Sequence, residues 1–217
     1  MSTSNYNIII GARNSSLSRA QVDEVFRELT IFFPQITFSP LWIMTQGDKD
    51  KASSLKTVDN TSFFTEEIDQ AVISKKVRIG IHSAKDLPSP LPQELIQVAL
   101  TQGLTSMDSL VIKKLPLPLR ALIGTSSLRR EQGIKNLRQD LICQDIRGTI
   151  EERLQFLDQD ALQGVVIAEC ALIRLKLTHL LRIPLPLTPI PLQGKLAVIA
   201  RKDDEEMKEL FHCINAC

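Results

Sequence analysis

What most constrains this chain is a rhythm in which short apolar runs end abruptly in polar, glycine- or hydroxyl-rich turns and apolar residues then resume at helical spacing. Ile8–Ile10 leads into Gly11-Ala12-Arg13-Asn14-Ser15-Ser16, after which Val22, Val25, Phe26 and Leu29 recur three or four residues apart. That is a buried strand, a loop and an amphipathic helix. Leu41–Thr45 predicts a second strand. A long polar loop then reaches Asn60-Thr61-Ser62, good capping types, with Glu66 and Glu67 in the first turn of a helix whose buried stripe is Phe64, Ile68 and Val72. Val77, Ile79 and Ile81 alternate with Arg78, Gly80 and His82, a strand that stops at Ser83-Ala84-Lys85-Asp86-Leu87-Pro88. Ala121–Ile123 feeds Gly124-Thr125-Ser126-Ser127-Leu128-Arg129-Arg130 in the same way.

Leu141–Ile146 and Val165–Ala168 predict further strands. Thr149 and Glu152 stand at capping-box spacing ahead of a helix with Ile150, Leu154 and Leu157 on its apolar stripe. A helix over Cys170–Leu175, a strand over Leu196–Ala200 and a short charged helix complete the chain. Strands alternating with helices predict an α/β protein with mostly parallel sheets and sites at the strands' carboxyl ends. Two Pro-rich stretches, Pro88–Pro92 and Pro184–Pro191, bracket the middle of the chain. The predicted organisation is residues 1–97 plus 191–217 as one domain and 98–190 as a second.

A chain of 217 residues buries an ordinary core without staples. Hydrophobic residues at 43% and charged residues at 24% exclude disordered, collagen-like and coiled-coil compositions. A formal net charge of +1 argues against a nucleic-acid binder. Cys143, Cys170, Cys213 and Cys217 form no CxxC pair and have no histidine at zinc-ligand spacing, so reduced structural thiols and no metal are expected. The polar start lacks a signal-peptide core, and no run approaches the roughly 18 apolar residues of a membrane span. The expected location is the cytoplasm.

Taken singly, Arg13, Arg129, Arg130, Arg147, Arg153 and Arg174 are ordinary surface arginines. Five of the six, however, sit in or just after a turn that follows a strand, or at a helix start, where backbone N–H groups also favour anions. Guanidinium forks match carboxylates, so the set suits a ligand bearing several of them; a phosphate would fit Ser126-Ser127 as well. Ser15, Ser83, Ser126 and Ser127 are turn formers that also offer hydrogen bonds. Asp86 is the one acid in its loop, placed as a catalytic acid or base would be, or as part of a plain Lys85-Asp86 turn. His82 reads as a packed or turn-capping residue, and Trp42, Phe32 and Phe33 as core.

Together, Ala12-Arg13-Asn14-Ser15, Gln46-Gly47-Asp48, Phe64, His82-Ser83-Ala84-Lys85-Asp86-Leu87-Pro88, Gly124-Thr125-Ser126-Ser127-Leu128-Arg129-Arg130 and Arg147-Gly148 resemble the porphobilinogen deaminase (hydroxymethylbilane synthase) family across essentially the whole chain. The order and spacing carry the resemblance. It implies two periplasmic-binding-protein-like domains with mixed, mostly parallel sheets flanking a cleft, and head-to-tail condensation of porphobilinogen with release of ammonia on a dipyrromethane cofactor. It implies Asp86 as the catalytic carboxylate. Arg13, Lys85, Arg129, Arg130, Arg147 and Arg153 would hold acetate and propionate groups, with Ser15, Lys56, Phe64, Ser83, Thr125, Ser126, Ser127, Gly148 and Arg174 at further substrate- or cofactor-binding positions. Expected partners are a small-molecule pyrrole and neither nucleic acid nor membrane, with the chain monomeric.

The family's glycine-rich, lysine-bearing loop is here Asp59-Asn60-Thr61-Ser62, and a shortened form is expected, without the family's third domain and its primer cysteine in a Gly-Gly-Cys context. Neither Cys213 nor Cys217 sits in that context. The covalent attachment point is therefore unknown, and non-covalent seating of the dipyrromethane between the Arg-bearing loops is one reading. Two alternatives to a shortened enzyme stand beside it: a non-catalytic oligopyrrole- or polycarboxylate-binding protein derived from the enzyme, and a solute-binding module for sulfate, phosphate or amino acids.

Overall fold

The computed structural model describes residues 6–50, 53 and 62–216. The chain forms two compact units. Among the described residues, the first holds those up to Lys49, those from Ser62 to Leu104 and those from Pro191; the second holds Asp50, Ser53 and Thr105–Ile190.

In chain order, the first unit begins with β1 (Tyr6–Arg13), α1 (Ser16–Phe32), β2 (Ile36–Ile43), the single turn α2 (Gln46–Lys49), α3 (Glu66–Ile73), β3 (Ile79–Ser83) and β4 (Leu95–Leu100). The second unit contains β5 (Asp108–Ile112), β6 (Leu122–Gly124), α4 (Leu128–Leu137), β7 (Ile142–Gln144), α5 (Ile150–Asp158), β8 (Gly164–Ala168), α6 (Glu169–Arg174) and β9 (Arg182–Leu185). The chain then returns to the first unit with β10 (Leu196–Arg201) and α7 (Glu205–Phe211).

Each unit is built on a mixed sheet, ordered β2-β1-β3-β10-β4 in the first and β7-β6-β8-β5-β9 in the second. β1 pairs in parallel with β2 and β3, while β10 runs antiparallel to β3 and β4. The second sheet repeats the scheme: β6 is parallel to β7 and β8, and β5 is antiparallel to β8 and β9. One reversed strand per sheet matters for the site, because a reversed strand begins where its neighbours end.

The local physics follows the sequence. Ser15 caps α1, its Oγ accepting the Ser18 N–H at 3.1 Å. The buried face of α1, Val22, Val25 and Leu29, packs with Ile8, Ile10, Ile81, Val198, Met207 and Phe211 in the first core. Leu110, Ile112, Ile123, Ile134 and Val166 form the second. Asp204 caps α7 through Met207 N and takes two 2.9 Å hydrogen bonds from Arg78, tying the approach to β3 to the last helix.

Several expectations are corrected. β2 starts at Ile36, five residues earlier than the apolar run suggested. A domain boundary at 97/98 would cut β4, whose pairing with β10 carries the first unit on to Leu104. Pro184 lies inside the edge strand β9, where a missing N–H is tolerated, and not in a linker. α3 starts at Glu66 after Thr65, which makes no side-chain cap, so Phe64 precedes the helix and does not extend its stripe. Asn60 and Thr61 lie outside the described residues. Phe32 is exposed at the end of α1.

Candidate functional site

At the carboxyl end of β1, Arg13 is clamped from two sides. Its Nη2 donates to Asp48 Oδ1 and its Nε to Asp48 Oδ2 at 3.4 Å, and its guanidinium carbon lies 4.4 Å from the centroid of the Phe64 ring. Gly47 makes room for that ring: a Cβ there would stand 2.2 Å from a Phe64 ring carbon. Burial pushes the Asp48 pKa up, but hydrogen bonds and charge from Arg13, with the Thr45 N–H and hydroxyl, outweigh it and hold Asp48 below the usual carboxylate range. Arg13 is thus held by protein, with a cation–π contact as backing.

On the neighbouring strand, β3 ends at Ser83, whose Oγ accepts from Gln21 Nε2 at 2.8 Å. A single 3₁₀ turn, Ala84–Asp86, follows. Lys85 is exposed there and Asp86 half-buried. Asp86 has no side-chain hydrogen bond or ion pair among the described residues. His82 is buried on β3, its Nε2 3.4 Å from Oδ1 of buried Asp69 on α3, so it is a packed residue with an acidic neighbour.

The second unit builds a different arrangement. Because β5 runs against β8, its first residue, Asp108, pairs with Ala168, the last of β8. That places a fully buried carboxylate beside the first turn of α4. Arg129 Nη2 donates to Asp108 Oδ2, and Arg130 Nη2 to Oδ1 at 2.7 Å. Each guanidinium has a second anchor, Arg129 Nη1 on Thr188 O at 2.9 Å and Arg130 Nη1 on Val166 O at 3.5 Å. Burial raises the Asp108 pKa, yet the charges and hydrogen bonds of Arg130 and Arg129 prevail and keep it low. One residue on, Ser109 Oγ donates to Glu169 Oε2 at 2.6 Å, and Glu169 is held by Arg182.

The hydroxyls of the Gly124–Arg130 turn serve the turn itself. Ser126 Oγ donates to Ile146 O and accepts from Ile146 N, and Thr125 Oγ1 accepts from Ser127 N at 3.3 Å. Ser127 caps α4 by accepting from Arg130 N. Arg147 donates from Nη2 to Asp50 O at 2.8 Å and borders an open pocket with Glu152, Gln155, Phe156 and Gln159. Gly148 has φ +106° and leads into the Thr149–Glu152 capping box of α5; Arg153 Nε returns to the Gly148 carbonyl at 2.9 Å. Arg174 closes α6, a helix length away from the strand end that carries Asp108. Lys56 lies outside the described residues. The Cys213 thiol is pushed up by burial and donates to Leu210 O at 3.4 Å, the opposite of the thiolate-favouring surroundings a reactive cysteine needs.

Sequence reasoning singled out the arginines and missed their counterions. Asp48 appeared only inside a motif and Asp108 not at all, and no local signal ties either to an arginine 35 or 21 residues away.

Two mixed α/β units, each with one reversed strand, make up the periplasmic-binding-protein-like fold. The probable amino-acid ABC transporter extracellular-binding protein ytmK of Bacillus subtilis shares it, with a TM-score of 0.54 at 10% identity over 96% of this chain and 89% of that one. The chain belongs to the porphobilinogen deaminase family: residues 8–209 match the family described as "Porphobilinogen deaminase, dipyromethane cofactor binding domain". It is 39% identical to the probable porphobilinogen deaminase of Chlamydia trachomatis over 95% of this chain and 87% of that one. It is 42% identical to the porphobilinogen deaminase of Caldicellulosiruptor saccharolyticus over 89% of this chain and 69% of that one. The half-buried guanidinia at the β6 and β8 strand ends fit a dipyrromethane, whose carboxylate arms need fork-shaped cationic donors.

Proposed function

We propose that this chain is an enzyme that carries out the reaction its family is named for, the head-to-tail condensation of porphobilinogen to hydroxymethylbilane with release of ammonia, in tetrapyrrole and heme biosynthesis. It is a transferase, and it works as a monomer in the cytoplasm. The observation that carries this reading is the contrast among aspartates. Asp48 and Asp108 are committed to arginines, whereas Asp86 stands half-buried at a strand end with no partner among the described residues.

Asp86 has a carboxylate's role. It accepts hydrogen bonds from the protonated aminomethyl group of porphobilinogen. The C–N bond breaks with both electrons staying on nitrogen, ammonia departs, and positive charge spreads over the pyrrole, where the adjacent carboxylate stabilises it. The ring carbon of another pyrrole then forms the new C–C bond, and its proton leaves to Asp86. Arg13 and Lys85 in the first unit hold carboxylate arms of the substrate. A bound dipyrromethane supplies the pyrrole end at which the chain starts; Arg129, Arg130, Arg147 and Arg153 would hold its carboxylates, with Ser83 and Gly148 shaping the loops.

The test is incubation of purified protein with porphobilinogen, measuring ammonia released and uroporphyrin formed after acid oxidation. The expected result is both products from the unaltered chain and neither from Asp86→Asn. No ammonia, even with added dipyrromethane or preformed hydroxymethylbilane, would contradict the proposal.

A further inference from the structure

The arginine pair of the second unit has a buried acid at its centre that no reading of the arginines alone requires. Charged groups around the start of β5 divide into two sets. Glu169 is matched by Arg182, whose Nε reaches both carboxylate oxygens at 3.0 Å and whose Nη2 adds a third bond at 2.9 Å. Asp108 is shared between Arg129 and Arg130. Among the described residues, these ion pairs set three guanidinia against two carboxylates, an excess of one positive charge.

Asp108 is wholly buried, while Arg129 and Arg130 keep 24% and 13% of their side chains exposed. A buried charge away from water is felt strongly by its neighbours. Without it, two adjacent guanidinia at the N-terminus of α4 would make a doubly positive site, the usual setting for phosphate or sulfate. Of the hydroxyls such an oxyanion would use, that of Ser126 is already committed as a donor to Ile146 O.

We propose that Asp108 fixes the charge of the Arg129–Arg130 pair at one and so makes it selective for the single negative charge of a carboxylate arm over a doubly charged oxyanion. The assignment rests on the reading of this chain as an enzyme of carboxylated pyrroles, and it deepens that reading by naming what sets the preference. Asp108 is a positioning and specificity residue; it acts through the two arginines.

The test follows arginine Nε–H signals of the ¹⁵N-labelled intact chain by NMR near pH 7 at constant ionic strength. Sodium propionate and sodium sulfate are titrated separately. The unaltered chain is expected to bind propionate at least as tightly as sulfate, and Asp108→Asn to shift the affinity ratio toward sulfate by roughly tenfold. Asp108→Glu, which keeps the charge, should hold the original ratio. Tighter sulfate binding by the unaltered chain, binding of neither anion, or an unchanged ratio in folded Asp108→Asn overturns the assignment. Should the Asn variant not fold, the ratios of the unaltered chain and Asp108→Glu decide it. Porphobilinogen turnover plays no part in these titrations, so a chain with this ratio but no ammonia release would remove the enzyme reading and leave the charge assignment standing.

Discussion

In the first unit one arginine faces one aspartate; in the second, two arginines share one. Arg13 and Asp48 sit near the surface, the carboxylate 18% exposed, with an aromatic ring as backing. Asp108 is closed off from solvent altogether. The same device, an acid that fixes a strand-end arginine, thus gives a locally neutral clamp in one unit and a net cation in the other. The difference suits the roles proposed for the two units. Asp86, the carboxylate proposed to stabilise cationic pyrroles, lies in the turn after β3, the strand beside β1, whose terminal arginine is already neutralised. The second unit keeps its surplus positive charge for carboxylate arms.

The sharpest way to break this comparison is to remove each acid. Asp108→Ala leaves two guanidinia facing each other in a buried site and is expected to destabilise the protein by about 3–5 kcal/mol, the usual cost of breaking a buried ion pair. Asp48→Ala should cost about 1–3 kcal/mol, because one partly exposed arginine then regains water. Equal losses in urea unfolding would erase the distinction.

A second prediction concerns acid. Both carboxylates have folded-state pKa values below the ordinary one, so the stability each adds is fully present above the unfolded pKa of about 4 and is lost as pH falls through the lower folded value. Unfolding measured downward from about pH 5 should therefore be less steep in Asp108→Asn than in the unaltered chain. Identical slopes would show that Asp108 is not held ionised.

The smallest expected effect tests the ring behind Arg13. Phe64→Leu removes a cation–π contact of about 0.5–1 kcal/mol. It should raise KM for porphobilinogen by roughly two- to fivefold with kcat nearly constant. A fall in kcat instead would place Phe64 against the reacting atoms.

How much of this was legible in the sequence divides along the range of the interactions. The Thr149–Glu152 box is a local device, and the sequence displays it because the cap and the N–H it binds lie three residues apart, whereas Ser15 and Ser127 read only as turn formers and proved to cap α1 and α4. β1 and β6 announce themselves by apolar runs that break into hydroxyl- and arginine-bearing turns, β3 by an alternation that stops at Ser83-Ala84-Lys85-Asp86, and β8 by its apolar run alone. The strands that escaped notice are β4, β5 and β9. Leu110–Ile112 is a three-residue run between Asp108-Ser109 and Lys113-Lys114, and Pro184 makes β9 read as linker. Missing β5 hid the site's main counterion. Asp108 acquires its meaning only from an antiparallel register that sets it beside Ala168, sixty residues away, and no periodicity encodes that. The motif resemblance likewise marked the arginines as ligands for substrate without showing that protein carboxylates already hold three of them.

The central claim is that Asp86 does the chemistry while the arginines bind. The most direct measurement is steady-state ammonia release by Asp86→Asn against the unaltered chain, with porphobilinogen affinity determined on the same samples. Loss of kcat by roughly 10²–10⁴-fold at nearly unchanged affinity is predicted, the range expected when a positioned acid–base group is removed. A kcat that survives the substitution would show that the reaction does not run through this carboxylate.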